Sequence, residues 1–245
     1  MEDNTINTLK NFIKALINEI PYKDCNGVEY HYGNNCFLTF PKGLDDFDIS
    51  IIYPGSKTKM SSLKNAYFNK ESLDRAKYRM MDNIGKSYSI SLQNHDKNYT
   101  TQDHCMVSMV IFKEKKNHYD ITVFYRTTEI CRKFLFDLVF IRDVILPYLG
   151  IKDYRLTFMF TRLTLSYIFL HTIFLLTSAF YPEGYTQQGH KFWRGYLGYM
   201  DKMLSIKERG SMLKSHWRHF QNFKGTRTCN QVYRILRGNY DEGTD

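Results

Sequence analysis

The chain has 245 residues, 43% of them hydrophobic and 24% charged, with 19 Tyr, 18 Phe and a formal net charge of +9. This content builds one large core or two small ones and excludes a disordered polyelectrolyte. The basic balance suits a polyanion, a membrane surface or an anionic metabolite, although a solvated basic face would account for the late excess from Lys191 to Arg237.

Five cysteines, Cys25, Cys36, Cys105, Cys131 and Cys229, are widely spaced and contain no C-x-x-C pair. A zinc knuckle is therefore not expected. The polar start of the chain does not read as a secretory leader, and reduced thiols in a cytoplasmic protein are the expectation.

Along the chain, Ile6, Leu9, Ile13, Leu16, Ile17 and Ile20 recur at helical spacing over residues 5–20, with Pro21 as the stop. Residues 28–32 and 36–40 read as short strands around a Gly33-Asn34-Asn35 hairpin. A strand over 47–53 is closed by Pro54-Gly55. The pattern then predicts a helix over 70–81, a strand over 88–92 and a polar loop over 93–103. Strands over 107–112 and 121–125 are joined by the charged turn KEKKNH. A long helix is expected over 132–149, with Phe136, Val139, Phe140, Val144 and Leu146 apolar and Gly150 ending it.

A strand over 156–165 and a buried helix over 166–180 follow. The charge-free run 163–181 also approaches a membrane span in length, but Thr164, Ser166, His171, Thr172, Thr177 and Ser178 interrupt it. After a turn at Pro182-Glu183-Gly184, residues 192–204 and 212–223 read as helices. One α+β domain over residues 1–245 with a helical C-terminal part is the expected organisation.

The chemistry-bearing residues gather between His104 and Asp137. Cys105 opens the apolar run MVSMVIF, Arg126-Thr127-Thr128-Glu129 ends the second strand, and Asp137 lies within FLFDLVFI. A thiol, a guanidinium, hydroxyls and a carboxylate around one pocket suit an anionic ligand attacked by a nucleophile. Each residue also has a plainer reading. Cys105 reads equally as an inert buried thiol, and Arg126 as a surface arginine. Glu129 fits the positive end of the next helix. Asp137 fits an ion pair with Lys133 or Arg142, since a lone buried carboxylate is costly. His104 reads as a base or as a turn residue.

His216 and His219 lie three apart without an evident third ligand, so no metal residue is assigned. The stretch HWRHFQNFKGTR suits either base stacking and phosphate contact or a helix packing its aromatics inward.

The segment from Gln102 to His171 resembles the thymidylate synthase superfamily, including the deoxycytidylate and cytidylate hydroxymethylases. In that family a catalytic cysteine begins one strand and an Arg-Ser-x-Asp motif ends another. Here Arg126-Thr127-Thr128-Glu129 follows Cys105 by 21 positions, and Asp137 lies 11 beyond Arg126, where the family places its base-reading side chain. The resemblance implies a thymidylate-synthase-like mixed β-sheet with packed helices, and a homodimer. It implies a one-carbon transfer to C5 of a pyrimidine mononucleotide from 5,10-methylenetetrahydrofolate. Cys105 would be the nucleophile, Arg126 and Thr127 the phosphate ligands, and Asp137 the reader of the base. Glu129 aligns with the carboxylate of the motif. A carboxylate accepts from the exocyclic amine of cytosine, so a cytidylate is expected over a uridylate.

The chain departs from the family where His104 precedes the cysteine and Met106 follows it. The sugar-binding His-x-Tyr pair falls on Tyr167-Ile168-Phe169, and Glu71 is the one candidate for the catalytic glutamate. Two further readings therefore stand beside the transferase: a non-catalytic or nucleotide-binding descendant, and a basic nucleic-acid-binding protein.

Overall fold

The computed structural model describes residues 4–17, 21–23, 29–45, 56–80, 84–93, 105–131 and 133–166. The chain divides into two compact units, Met1–Leu9 with Gly33–Thr164, and Lys10–Tyr32 with Leu165–Asp245. In chain order the elements begin with α1 (Thr5–Ile17), β1 (Pro21–Lys23), β2 (Glu29–Phe40), α2 (Ser56–Tyr67) and α3 (Lys70–Met80). They continue with β3 (Ser87–Ser91), β4 (Met106–Lys115), β5 (His118–Glu129) and α4 (Lys133–Phe140). A π-helical turn (Ile141–Ile145), α5 (Leu146–Leu149) and β6 (Asp153–Ser166) complete them.

The first unit is α+β, with five strands in the order β2-β6-β5-β4-β3. Strands β3, β4 and β5 are antiparallel neighbours, whereas β6 runs parallel to β5. A parallel neighbour requires a crossover, which α4, the π-helical turn and α5 supply. In the second unit β1 pairs antiparallel with the leading end of β2, Pro21 lying opposite His31.

Period-two burial explains the sheet. Met109 and Ile111 on β4, Ile121, Val123 and Tyr125 on β5, and Leu156, Phe158 and Phe160 on β6 are all buried. Phe134 from α4 meets this face edge-on, 4.8 Å from Phe158, 5.2 Å from Phe160 and 6.0 Å from Tyr125 between ring centroids. Each such pair contributes about 0.5–1.5 kcal/mol beyond its buried area.

Three features differ from the sequence expectation. The Gly33-Asn34-Asn35 segment is not a hairpin, because β2 runs through it as one strand. Asn35 takes a φ of 52°, a left-handed conformation that Asn tolerates, so the turn-prone residues distort the strand without reversing it.

Helix α2 has no counterpart in the sequence reading. Its apolar signal is sparse, resting on buried Leu63, Ala66 and Tyr67.

The helix expected over 132–149 is interrupted by the π-helical turn, where the Leu146 amide donates to the Ile141 carbonyl. Pro147, which has no N–H and crowds the carbonyl four residues back, accounts for the widened turn. Gly150 ends the helix at φ 75°, as expected.

The segments expected as a strand over 47–53 and as helices over 166–180, 192–204 and 212–223 lie outside the described residues, apart from Ser166, which ends β6. Among the described residues no helix is long and apolar enough to cross a membrane.

Candidate functional site

The site is built where β4 and β5 meet α2 and α4. Met106 pairs with Tyr125 across the antiparallel ladder. One step further the Arg126 amide donates to the Cys105 carbonyl at 2.8 Å. Cys105 and Arg126 are therefore cross-strand neighbours, and the Arg126 charge favours the Cys105 thiolate. Cys105 is half-buried and Arg126 exposed.

Tyr67, at the end of α2, fixes the start of β4. Its hydroxyl accepts the Cys105 amide at 3.1 Å and, more weakly, the Met106 amide at 3.5 Å. Its ring tilts against Phe140 of α4, 6.5 Å between centroids.

Asp137 comes from the buried face of α4 and is only 4% exposed. Burial pushes its carboxyl up to about 7, opposed by the Lys59 charge, a hydrogen bond with the Tyr125 hydroxyl and the Lys133 charge. The Tyr125 hydroxyl also lies 3.4 Å from Met106 Sδ. A carboxylate is a far better acceptor than a thioether, so the Tyr125 proton goes to Asp137 when that group is ionised.

The Cys105 thiol is itself pushed up. Desolvation is the largest cause, Lys133, Arg126 and Lys59 oppose it, and the Asp137 carboxylate adds to it. The arrangement is thus a thiol and a carboxyl competing for a small set of cations, with two tyrosine hydroxyls alongside. Of the residues named from the sequence, Cys105, Arg126 and Asp137 come together here. Asp137 meets Tyr125, and Arg142 instead pairs with Asp143, at 2.6 Å.

Thr127 and Glu129 lie further along β5. Thr127 is half-buried and in register with Arg162 on β6. The Glu129 Oε1 accepts the Cys131 amide at 3.2 Å, so this carboxylate braces the strand end that leads to α4. Thr128 is buried between them, and its hydroxyl makes no hydrogen bond. Glu71 is exposed on α3 and pairs with Arg75 at 2.5 Å. His104 and Tyr167 lie outside the described residues, as do His216 and His219.

A coordinated irregularity shapes this end of the sheet. On β5 the buried positions step from Tyr125 to Thr128, and on β6 from Phe160 to Leu163. Tyr125 is in register with Phe160, and Thr128 with Leu163. Both strands therefore exchange core and outer faces at one level without losing register. The residues displaced outward include exposed Arg126, Thr161 and Arg162. Arg126 and Arg162 thus lie on adjacent strands one residue out of step, Arg162 being in register with Thr127. Lys133, named from the sequence as a partner for Asp137, does favour its charged form; Tyr67, Tyr125 and Lys59 were not singled out from the sequence as members of this site.

Glu114, His118 and Asp120, flanking the β4–β5 turn, bring their donor atoms within 4.8 Å of one another. Arg155 already holds Asp120 at 2.8 Å and Asp153 holds His118 at 3.0 Å, so an ion-pair network accounts for the cluster.

No family model matches this chain, and no curated protein matches its sequence.

Proposed function

We propose that the chain transfers a one-carbon unit to C5 of a pyrimidine mononucleotide, with Cys105 as nucleophile, on a thymidylate-synthase-like fold. The observation that carries this reading is the cross-strand pairing of Cys105 with Arg126, joined by the 2.8 Å backbone bond. It sets a thiol beside a guanidinium that grips a phosphate through paired N–H donors. The sulfur adds to C6 of the base, and the C5–C6 electron pair becomes available at C5 for attack on the one-carbon unit. Loss of the C5 proton then breaks the bond between the one-carbon unit and its donor, and addition of water to that carbon expels the thiolate from C6 and restores the ring. The resemblance supplies 5,10-methylenetetrahydrofolate as donor and a homodimer as the assembly; no described residue is assigned to the folate. Thr127 adds a hydroxyl to the phosphate site.

The cytidylate preference rests on Asp137. Its carboxyl is sealed in the core against Tyr125, so reading a base requires that pair to open towards the ligand.

Tritium release from C5-labelled dCMP, dUMP and CMP tests the reaction, because thiol addition labilises that hydrogen. Release with one of them, lost in Cys105→Ser, is the expected result. No release from any of the three rejects the transferase.

A second reading, a nucleotide-binding descendant without catalysis, is favoured by the raised pKa of the Cys105 thiol, which disfavours the nucleophilic thiolate. It predicts nucleotide binding that survives Cys105→Ser, with no tritium release. The nucleic-acid reading rests on the basic C-terminal stretch, and charge reversal at Arg218 and Arg227 tests it through salt-dependent DNA or RNA binding.

A further inference from the structure

We infer that Tyr67 is the positioning residue for the Cys105 thiol, and this rests on the reading of Cys105 as a nucleophile. Cys105 sits at the entrance of β4, where the chain enters the sheet. On the Arg126 side its carbonyl is held by the sheet ladder. Among the described residues, its amide is held not by a strand but by the Tyr67 hydroxyl, at 3.1 Å. The same oxygen reaches the Met106 amide at 3.5 Å. One phenol oxygen thus substitutes for a missing ladder bond and tethers two successive amides of the nucleophile segment to α2.

Two N–H donors occupy the two lone pairs of the phenol oxygen. Burial disfavours ionisation of Tyr67, as does negative charge at Asp137 and Cys105, so the hydroxyl keeps its proton and its oxygen stays a neutral acceptor for both amides. The ring is anchored independently by its contact with Phe140. Tyr67→Phe therefore removes the tether while retaining the aromatic packing.

The test measures amide exchange and thiol alkylation on the full chain. In the wild type the Cys105 and Met106 amides should be protected from exchange. In Tyr67→Phe their exchange should rise at least tenfold, while Ile111 and Val123 remain as in the wild type. Iodoacetamide alkylation of Cys105 should become faster as the thiol is released towards solvent, with its pH profile moving down towards that of an ordinary cysteine. Turnover, read by tritium release, should fall at least tenfold in kcat with little change in KM, because the freed thiol is no longer aimed. Unprotected amides in the wild type, or exchange and alkylation profiles unchanged in Tyr67→Phe, would overturn the inference. Altered exchange and alkylation with no tritium release in the wild type would retain the tether and reject the transferase.

Discussion

The Tyr125 hydroxyl and the Asp137 carboxyl are hydrogen-bonded to each other inside the core, one reaching from β5 and the other from α4. Both are buried, so this polar contact crosses the same apolar layer that holds Phe134 against the sheet. A buried carboxylate is tolerated when a donor and nearby cations offset its desolvation. Here Tyr125 is the donor, and Lys59 and Lys133 are the cations.

Stability should decline with pH through the titration of Asp137. Its folded pKa, about 7, is above its ordinary value of 3.8. Between these values the folded chain binds more protons than the unfolded chain, so stability falls as pH rises from about 4 to 7 and then levels off. The full effect is on the order of 4 kcal/mol. Asp137→Asn should remove this slope and be the more stable protein at pH 8. Urea denaturation of both chains from pH 4 to 9 provides the measurement, and parallel curves would contradict the assignment.

Charge around Cys105 should set its reactivity in opposite directions at two positions. Lys133 favours the thiolate and Asp137 opposes it. Lys133→Ala should shift the alkylation profile of Cys105 to higher pH, and Asp137→Asn should shift it lower. Rates of iodoacetamide reaction across pH 6 to 10 report both shifts. A shared direction would show that structural loosening dominates.

Arg126→Ala should weaken binding of a pyrimidine monophosphate by about 10- to 100-fold, the loss of roughly 1.5–3 kcal/mol expected of a charge-assisted bond. The corresponding nucleoside, lacking phosphate, should bind the wild type and the variant equally. Titration calorimetry with the nucleotide and the nucleoside distinguishes an anion effect from a general loss of the site.

Two glycines with the same φ of 75° should respond differently to alanine. A Cβ at Gly43 would lie 2.9 Å from Cε2 of Tyr154, whose hydroxyl accepts the Leu44 amide, whereas a Cβ at Gly150 meets nothing within 4 Å. Gly150→Ala should cost about 1 kcal/mol, the conformational penalty alone. Gly43→Ala should cost about 1–3 kcal/mol more, because Tyr154 must move. Chemical denaturation of the two variants makes the comparison.

Thr128→Val should stabilise the chain by about 1 kcal/mol, since it replaces a buried hydroxyl lacking a partner with an apolar group of the same shape. The bond from Thr164 Oγ1 to the Thr128 carbonyl, 3.1 Å, survives the change. A loss of stability in urea denaturation would mean that the hydroxyl is satisfied in solution.

Much of the first unit was legible as pattern. The alternation of Ile121, Val123 and Tyr125, and of Leu156, Phe158 and Phe160, shows both strands and their buried faces. The break in that alternation is visible too, since Thr128 on β5 with Ile130 just beyond its end, and Leu163 and Leu165 on β6, continue it one residue out of step. What cannot be seen in either strand separately is that the two breaks coincide, because the β5–β6 register is a contact between residues 35 apart, as in Tyr125 with Phe160. Helix α2 was missed because its buried side chains among the described ones, Leu63, Ala66 and Tyr67, make a weak periodic signal.

The sequence by itself determined which residues carry reactive groups and which faces of β4, β5 and β6 are apolar, because both follow from side-chain chemistry and a period of two. The tertiary structure alone decided that the Tyr67 hydroxyl caps the Cys105 amide, that Tyr125 meets Asp137, and that Arg126 faces Cys105. Those relationships join α2 to β4, α4 to β5, and β4 to β5. They depend on chain register and packing, in which a shift of one residue would send the same side chains to opposite faces.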